Sequence, residues 1–146
     1  MKGFEFLNRK ARHDYEPLES FTAGIILCGT EIKAIREGKV SFTDSFCYLR
    51  DDGLWIKNLF IPEYKLGTNN NHDPKRERKL LLTKSELKSI RKQMKNKGLT
   101  IIPFKMFELK GLAKLEISIC RGLKSFDKKM KIREKDIDRD MERDLK

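Results

Sequence analysis

From Leu112 to Arg121 apolar and polar side chains alternate. Ala113, Leu115, Ile117 and Ile119 fall on one face, Lys114, Glu116 and Ser118 on the other. Period-two alternation of this kind predicts a strand with one buried and one wet face. Leu99–Leu109 precedes it across Lys110-Gly111, which makes a hairpin, and Pro103, lacking an N–H, predicts an edge or a bulge in the first arm. Ser45–Arg50 and Leu54–Ile61 around Asp51-Asp52-Gly53 read as an earlier hairpin, closed by Pro62. Leu18–Cys28 mixes apolar and β-branched residues and stops at Gly29, as a strand would.

Two stretches carry the helical period instead. Thr83-Lys84-Ser85-Glu86 is a capping box with Thr83 as N-cap and Glu86 at N3, and Leu82 can staple onto Leu87. Leu87, Ile90 and Met94 then form the buried stripe, and Gly98 ends a helix of about thirteen residues. A shorter helix, Glu31–Glu37, is predicted between Thr30 as cap and Gly38 as the left-handed C′ residue. It turns Ile32 and Ile35 inward and puts Lys33 and Arg36 on another face. Several antiparallel strands with flanking helices suggest a mainly β fold. A small closed barrel of oligonucleotide-binding type is its natural form, because that barrel leaves one face and its loops free for a ligand. A split α+β sheet is the alternative the pattern leaves open.

The C-terminal residues differ in kind. Residues 127–146 hold 15 charged side chains and five apolar ones, of which Ile137, Met141 and Leu145 repeat at i+4. A stripe one residue wide is too narrow to dock firmly on a barrel. The expected organisation is a β-barrel domain over 1–126 and a tail over 127–146 that is disordered when free and helical against a surface or in a channel.

Charge narrows the class of partner. The net charge of +11 is concentrated: the balance is −1 over residues 1–64, +8 over 65–97, +3 over 98–126 and +1 over 127–146. Within the basic segment, Asn69-Asn70-Asn71-His72-Asp73-Pro74 leads into Lys75, Arg76, Arg78 and Lys79, followed by Leu80-Leu81-Leu82. Such a loop can be anchored on the domain with its cations outward, facing a polyanion. Guanidinium groups fit phosphates bidentately and stack on bases, and asparagine amides reach sugars and base edges. Arg9 and Lys10 form a second cluster within reach of the same ligand. Few exposed aromatic rings are evident; Phe4, Phe6, Tyr15 and Tyr64 read as core. That favours folded RNA recognised by shape over single strands, and no DNA is expected.

Catalytic and metal chemistry finds little support. Cys28, Cys47 and Cys120 have no CxxC spacing or adjacent histidine, so neither a metal site nor a disulfide framework is expected. No nucleophile elbow, phosphate-binding glycine loop or HExxH is present. His13 and Asp14, read as neighbours on extended chain, point apart and make no dyad. His72-Asp73-Pro74 reads as a turn shaped by Asp73 and Pro74, with Asp73 as an N-cap and Pro74 at N1. No apolar run is long enough to span a bilayer and no secretory segment is evident, so a cytoplasmic, monomeric, non-enzymatic protein without cofactor is expected.

The motifs together resemble one family. Asn8-Arg9-Lys10-Ala11, Gly29-Thr30-Glu31-Ile32-Lys33 with Arg36-Glu37-Gly38-Lys39, Asp44-Ser45, Asn71-His72-Asp73-Pro74 with Arg76 and Arg78-Lys79-Leu80-Leu81-Leu82, Lys97-Gly98-Leu99-Thr100 and Asp127-Lys128-Lys129 occur in this order. In that combination the chain resembles the SsrA-binding proteins (SmpB), bacterial partners of transfer-messenger RNA, over essentially its whole length. The resemblance implies a barrel that grips the tRNA-like domain of that RNA and helps deliver it to stalled ribosomes. It also implies a tail that reaches the decoding centre and becomes helical in the empty mRNA channel, so that translation switches to the RNA's own frame and appends a degradation tag. Carried over by motif, Arg9, Lys10, Lys33, Arg36, Asn71, His72, Arg76, Arg78 and Lys79 are the candidate RNA face. Phe126, Asp127, Lys128, Lys129, Arg133 and Lys135 are the candidate ribosome-facing tail. Two positions depart from the family pattern: Leu123 replaces a cation, and Lys129 stands where an arginine is usual. A general structured-RNA-binding barrel of the translation machinery is the alternative, and the tail together with the His72-Asp73-Pro74 loop speaks against it.

Overall fold

The computed structural model describes residues 3–66 and 71–123. Calls that fall on Asn69, Asn70 and residues 124–146, including all six tail candidates, lie outside the described residues. In chain order the elements are β1 (Glu5–Leu7), α1 (Arg9–Asp14), β2 (Tyr15–Ile25), α2 (Gly29–Arg36), β3 (Phe46–Arg50), β4 (Gly53–Lys57), β5 (Arg78–Leu81), α3 (Lys84–Gln93), β6 (Leu99–Leu109) and β7 (Leu112–Gly122). The fold is mainly β with a few helices.

All seven strands join one antiparallel sheet in the order β1-β6-β3-β4-β5-β2-β7, and β6 also pairs with β7. Each of β2 to β7 therefore has a hydrogen-bonded neighbour on both sides, and β1 is added to β6. The β6–β7 hairpin has the predicted bounds, and its turn residues Lys110 (φ 52°) and Gly111 (φ 79°) are both left-handed, the geometry that matches strand twist in a tight hairpin. Its register shifts between Pro103 and Lys105, so Pro103 marks a bulge, and on the side away from β7 it lies between the β3 pairing at Ile101 and the β1 pairing that starts at Lys105.

The alternation along β7 is met on the inner face, where Leu115, Ile117 and Ile119 are buried with Ile56, Ile101 and Met106 in the main core. The supposedly wet face is dry at its far end. Ser118 and Cys120 are buried there, Cys120 in a small second cluster with Ala11, Ile102 and Phe104. The cover is α1, six residues long, which the periodicity did not announce. Asn8 fixes it: its side chain accepts from the Ala11 N–H (3.2 Å) and donates to the Pro103 carbonyl (2.8 Å), while its own N–H meets the Phe104 carbonyl (2.9 Å). One residue thus caps a helix and satisfies the polar groups that the bulge frees.

Other boundaries shift for local reasons. The capping box of α3 is present as read, but the helix is ten residues long and its C-cap is Met94, with Gly98 (φ 85°) ending the turn that follows. Ile90 is fully buried, with Leu87 and Met94 packed against the core. Strand β4 ends at Lys57 because Asn58 is left-handed (φ 65°), and Leu59 and Ile61 beyond it are still buried. The α2 cap is Cys28, not Thr30, with Gly38 (φ 84°) past its end as expected. Ile35 is buried on its inner face beside Ala34, and Ile32 is only half-buried.

Candidate nucleic-acid interface

The N-terminus of α2 holds a buried acid. Glu31 is the N3 residue, and its carboxylate reaches back to accept the Cys28 N–H at 2.8 Å. It is fully buried and also accepts from Arg76 Nη2 (2.7 Å) and from Arg78 Nε. Burial pushes the Glu31 carboxyl up, but the hydrogen bonds from Arg76 and Cys28 and the charge of Arg78 outweigh it and hold it below its ordinary value. Arg78 is likewise fully buried. Its other nitrogens donate to the Leu59 (2.7 Å) and Pro74 (3.3 Å) carbonyls. Burial lowers its pKa against the pull of Glu31, and it stays a cation.

The same cluster shapes the basic loop. His72 is buried; its Nε2 lies 2.8 Å from the Ile61 carbonyl, which can only accept, so Nε2 carries the proton. Nδ1 is hydrogen-bonded to the Thr30 hydroxyl at 2.9 Å, so Thr30 tethers the loop to α2. Asn71 accepts from the Tyr64 and His72 N–H groups (3.2 Å each) and donates to the Tyr64 carbonyl (2.8 Å). Asp73 accepts from the Lys75 N–H (3.0 Å), and its carbonyl meets the Arg76 N–H (3.1 Å), which makes a tight Asx turn over Pro74-Lys75 rather than a helix start.

These contacts redistribute the candidate residues. Asn71, His72 and Arg78 hydrogen-bond within the loop and to its supports, His72 and Arg78 being buried and Asn71 half-buried. Arg76 is half-buried, donates to Glu31 and the Ile26 carbonyl, and has a buried Nε with no partner among the described residues. Outward cations at this end include Lys33, which lies 5.6 Å over the Tyr64 ring, Arg36 and Lys75. Lys75 and the anchoring Glu31 were not among the candidates. Lys79 points to the opposite face of β5 from Arg78, 3.8 Å from Asp52 and against Gly53.

Arg9 and Lys10 are exposed on α1, at the other end of β2 from α2. They rim a cleft of about 330 Å³ with Ser41, Thr43 and Ser45. His13 and Asp14 sit on α1 rather than on extended chain, and they do meet, at 3.0 Å on the surface. The half-buried rings Tyr48 and Trp55, unnoticed in the sequence, share a strand pair on the outer face, and the Arg50 guanidinium lies 5.3 and 4.2 Å from their centroids.

An acid-locked turn between outward cations, on a sheet of this topology, coincides with a match to known proteins. A model of the SmpB protein family matches residues 6–146. The chain belongs to the SmpB family. SmpB relatives at high similarity include the SsrA-binding protein of Flavobacterium johnsoniae, 49% identical over 144 residues (98% of this chain, 95% of the relative). That of Parabacteroides distasonis is 51% identical over 140 residues (95% and 92%). A solved SmpB chain described as "tmRNA-SmpB: a journey to the center of the bacterial ribosome" is 45% identical, with a TM-score of 0.71 over 91% of this chain and 96% of that one. In this SmpB-family chain the Asn71-His72-Asp73-Pro74 signature is therefore a loop-building motif, with the exposed positions beside it.

Proposed function

We propose that this chain binds the tRNA-like domain of transfer-messenger RNA, delivers it to stalled ribosomes and enables trans-translation, without catalysis or cofactor, as a cytoplasmic monomer. The observation that carries the reading is the loop 71–79, locked to α2 through Glu31 and His72 so that Lys33, Arg36 and Lys75 surround a fixed backbone. Its relatives are SsrA-binding proteins, and its structural neighbour comes from tmRNA-SmpB on the ribosome. The strand pairing, in which β2 to β7 each have two neighbours, supports a closed barrel of oligonucleotide-binding type. Preset backbone and cations suit a folded RNA, whose shape is fixed before binding. The tail 127–146 is the part we assign to the ribosome.

The decisive measurement is a salt-dependent titration of transfer-messenger RNA with ordinary tRNA as competitor. Reversing Lys33 and Arg36 to Glu is expected to weaken binding and to reduce the slope of log K on log salt by roughly 1.5. An unchanged slope moves the RNA face elsewhere. Removing 127–146 is expected to abolish tagging on stalled ribosomes without weakening RNA binding; a parallel loss of both overturns the assignment of the tail.

A further inference from the structure

The cleft of about 330 Å³ that Arg9 and Lys10 rim lies between α1 and residues 40–45. Its walls mix three kinds of group: the half-buried rings of Tyr15 and Phe42, the cations Arg9 and Lys10, and the carboxylates Asp14 and Asp44. Arg9, Lys10 and Asp44 are exposed, and their side chains have no hydrogen bond or ion pair among the described residues.

The turn that carries Asp44 is held firmly. The Phe42 carbonyl accepts from the Ser45 N–H (2.9 Å) and from its hydroxyl (2.6 Å), which makes Asp44 the third residue of a tight turn. Its backbone is left-handed (φ 59°), a conformation that glycine adopts most easily. Asn58, itself left-handed (φ 65°), fixes it by donating from Nδ2 to the Asp44 carbonyl at 3.2 Å. A carboxylate thus stands where the backbone alone favours glycine, and the described chain gives it no partner. Departures from a local rule that the surroundings hold in place gather at functional positions.

Rings, cations and carboxylates on one cleft call for a ligand with a flat body, negative charge and N–H donors together. A nucleotide has all three, and the volume, at the low end for small-molecule sites, has room for one. The carboxylate selects among the bases. Only guanine offers two adjacent N–H donors, at N1 and N2, on its pairing edge, and a carboxylate can accept both. Adenine and cytosine set an acceptor nitrogen beside their amino group, and uracil flanks its N–H with two carbonyls. We propose that this cleft takes one unpaired guanine nucleotide extruded from RNA, its base beside Phe42 and Tyr15, its N1–H and N2–H on Asp44 and its phosphate on Arg9 and Lys10. That the nucleotide belongs to RNA rests on the function proposed above; the cleft and its base preference do not. Two RNAs can supply it. One is the tRNA-like domain. The other is ribosomal RNA, because the Asp14 carbonyl in the same wall holds the N–H of Leu123 (2.9 Å), from which the chain leads into the residues assigned to the ribosome.

The first test is ¹⁵N NMR of the full chain titrated with GMP and, separately, with UMP. GMP is expected to shift the amides of Val40, Thr43, Asp44 and Ser45 and to bind about tenfold more tightly than UMP, the discrimination of one bidentate pair. Asp44→Asn keeps the left-handed backbone, which asparagine tolerates, and should erase that preference. Unmoved cleft amides, equal affinities for GMP and UMP, or an unchanged preference in Asp44→Asn would each overturn the proposal. The second test separates the sources with the same variant. A Kd for the tRNA-like domain raised about tenfold identifies that RNA as the source. An unchanged Kd there, with the same loss on vacant ribosomes, identifies ribosomal RNA. If neither affinity changes, the proposal is overturned. If the parent binds neither RNA while GMP still shifts the cleft, the function proposed above fails, and the RNA source with it, but the guanine-selective cleft stands.

Discussion

Arg78 shows how a functional-looking residue turns structural. Lys75, Arg76, Arg78 and Lys79 look equivalent in a basic run, yet Arg78 and Lys79 occupy opposite faces of β5. The signal was present: Leu80 belongs to the core, and period two puts Arg78 on the same side. What the sequence could not supply is the partner, because Glu31 lies 47 residues away and is identified only when α2 docks. An uncompensated guanidinium in that position is severely unfavourable, so Glu31→Gln is expected to destabilise the fold by ~3–5 kcal/mol. The pH dependence has a definite sign. The carboxyl is held below its ordinary 4.5, so its contribution is present above the unfolded value and lost as pH falls through the folded one. Denaturant midpoints of the parent should therefore drop on the acid side of 4.5, while those of Glu31→Gln change less there. Parallel pH profiles for the two proteins would contradict the role given to Glu31.

At the scale of elements, the legible ones announced themselves twice. The β6–β7 hairpin combined alternation with a two-residue turn, and α3 combined a stripe with a complete capping box, with the Thr83 hydroxyl accepting the Glu86 N–H at 3.1 Å. Helix α1 has one buried residue in six, Ala11, so no stripe exists to be read, and its stability comes from the contacts of Asn8 and its packing over Phe104 and Cys120. Asn8→Ala removes the cap and strands the Pro103 carbonyl. A loss of about 1–2 kcal/mol is expected. Thr83→Ala, a cap on the exposed face of α3, is expected to cost about 1 kcal/mol. Hydrogen exchange distinguishes them: Asn8→Ala should speed exchange at Ala11 and along the Pro103 bulge, and Thr83→Ala only at the start of α3. Uniform acceleration in both would mean that neither helix opens separately.

On the scale of the whole molecule, concentrated charge is managed by spending part of it internally. The +8 segment would repel itself if every cation faced outward; instead Arg78 is buried against Glu31, and Arg76 and Lys79 pair with Glu31 and Asp52. Other cations of the segment stay outward, among them Lys75 and, in and after α3, Lys84, Lys88, Lys92, Lys95 and Lys97. The exposed candidate cations fall in two groups, Lys33 and Arg36 on α2, beside Lys75, and Arg9 and Lys10 on α1. The sequence suggested that both reach one ligand but left their separation open. They flank the two ends of β2, whose 11 residues extend roughly 35 Å if straight. A tRNA-sized RNA can bridge such a span, whereas a short oligonucleotide contacts one group. Arg9→Glu/Lys10→Glu and Lys33→Glu/Arg36→Glu are each expected to weaken binding of the full tRNA-like domain by about tenfold, near 1.4 kcal/mol. Combined, the losses should add to within about 0.5 kcal/mol, because the sites share no partner. A hairpin oligonucleotide of the same RNA should feel only one pair. If the α1 pair leaves every affinity unchanged, the RNA is held from the α2 end alone, and the Arg9–Lys10 cleft serves another surface of the complex.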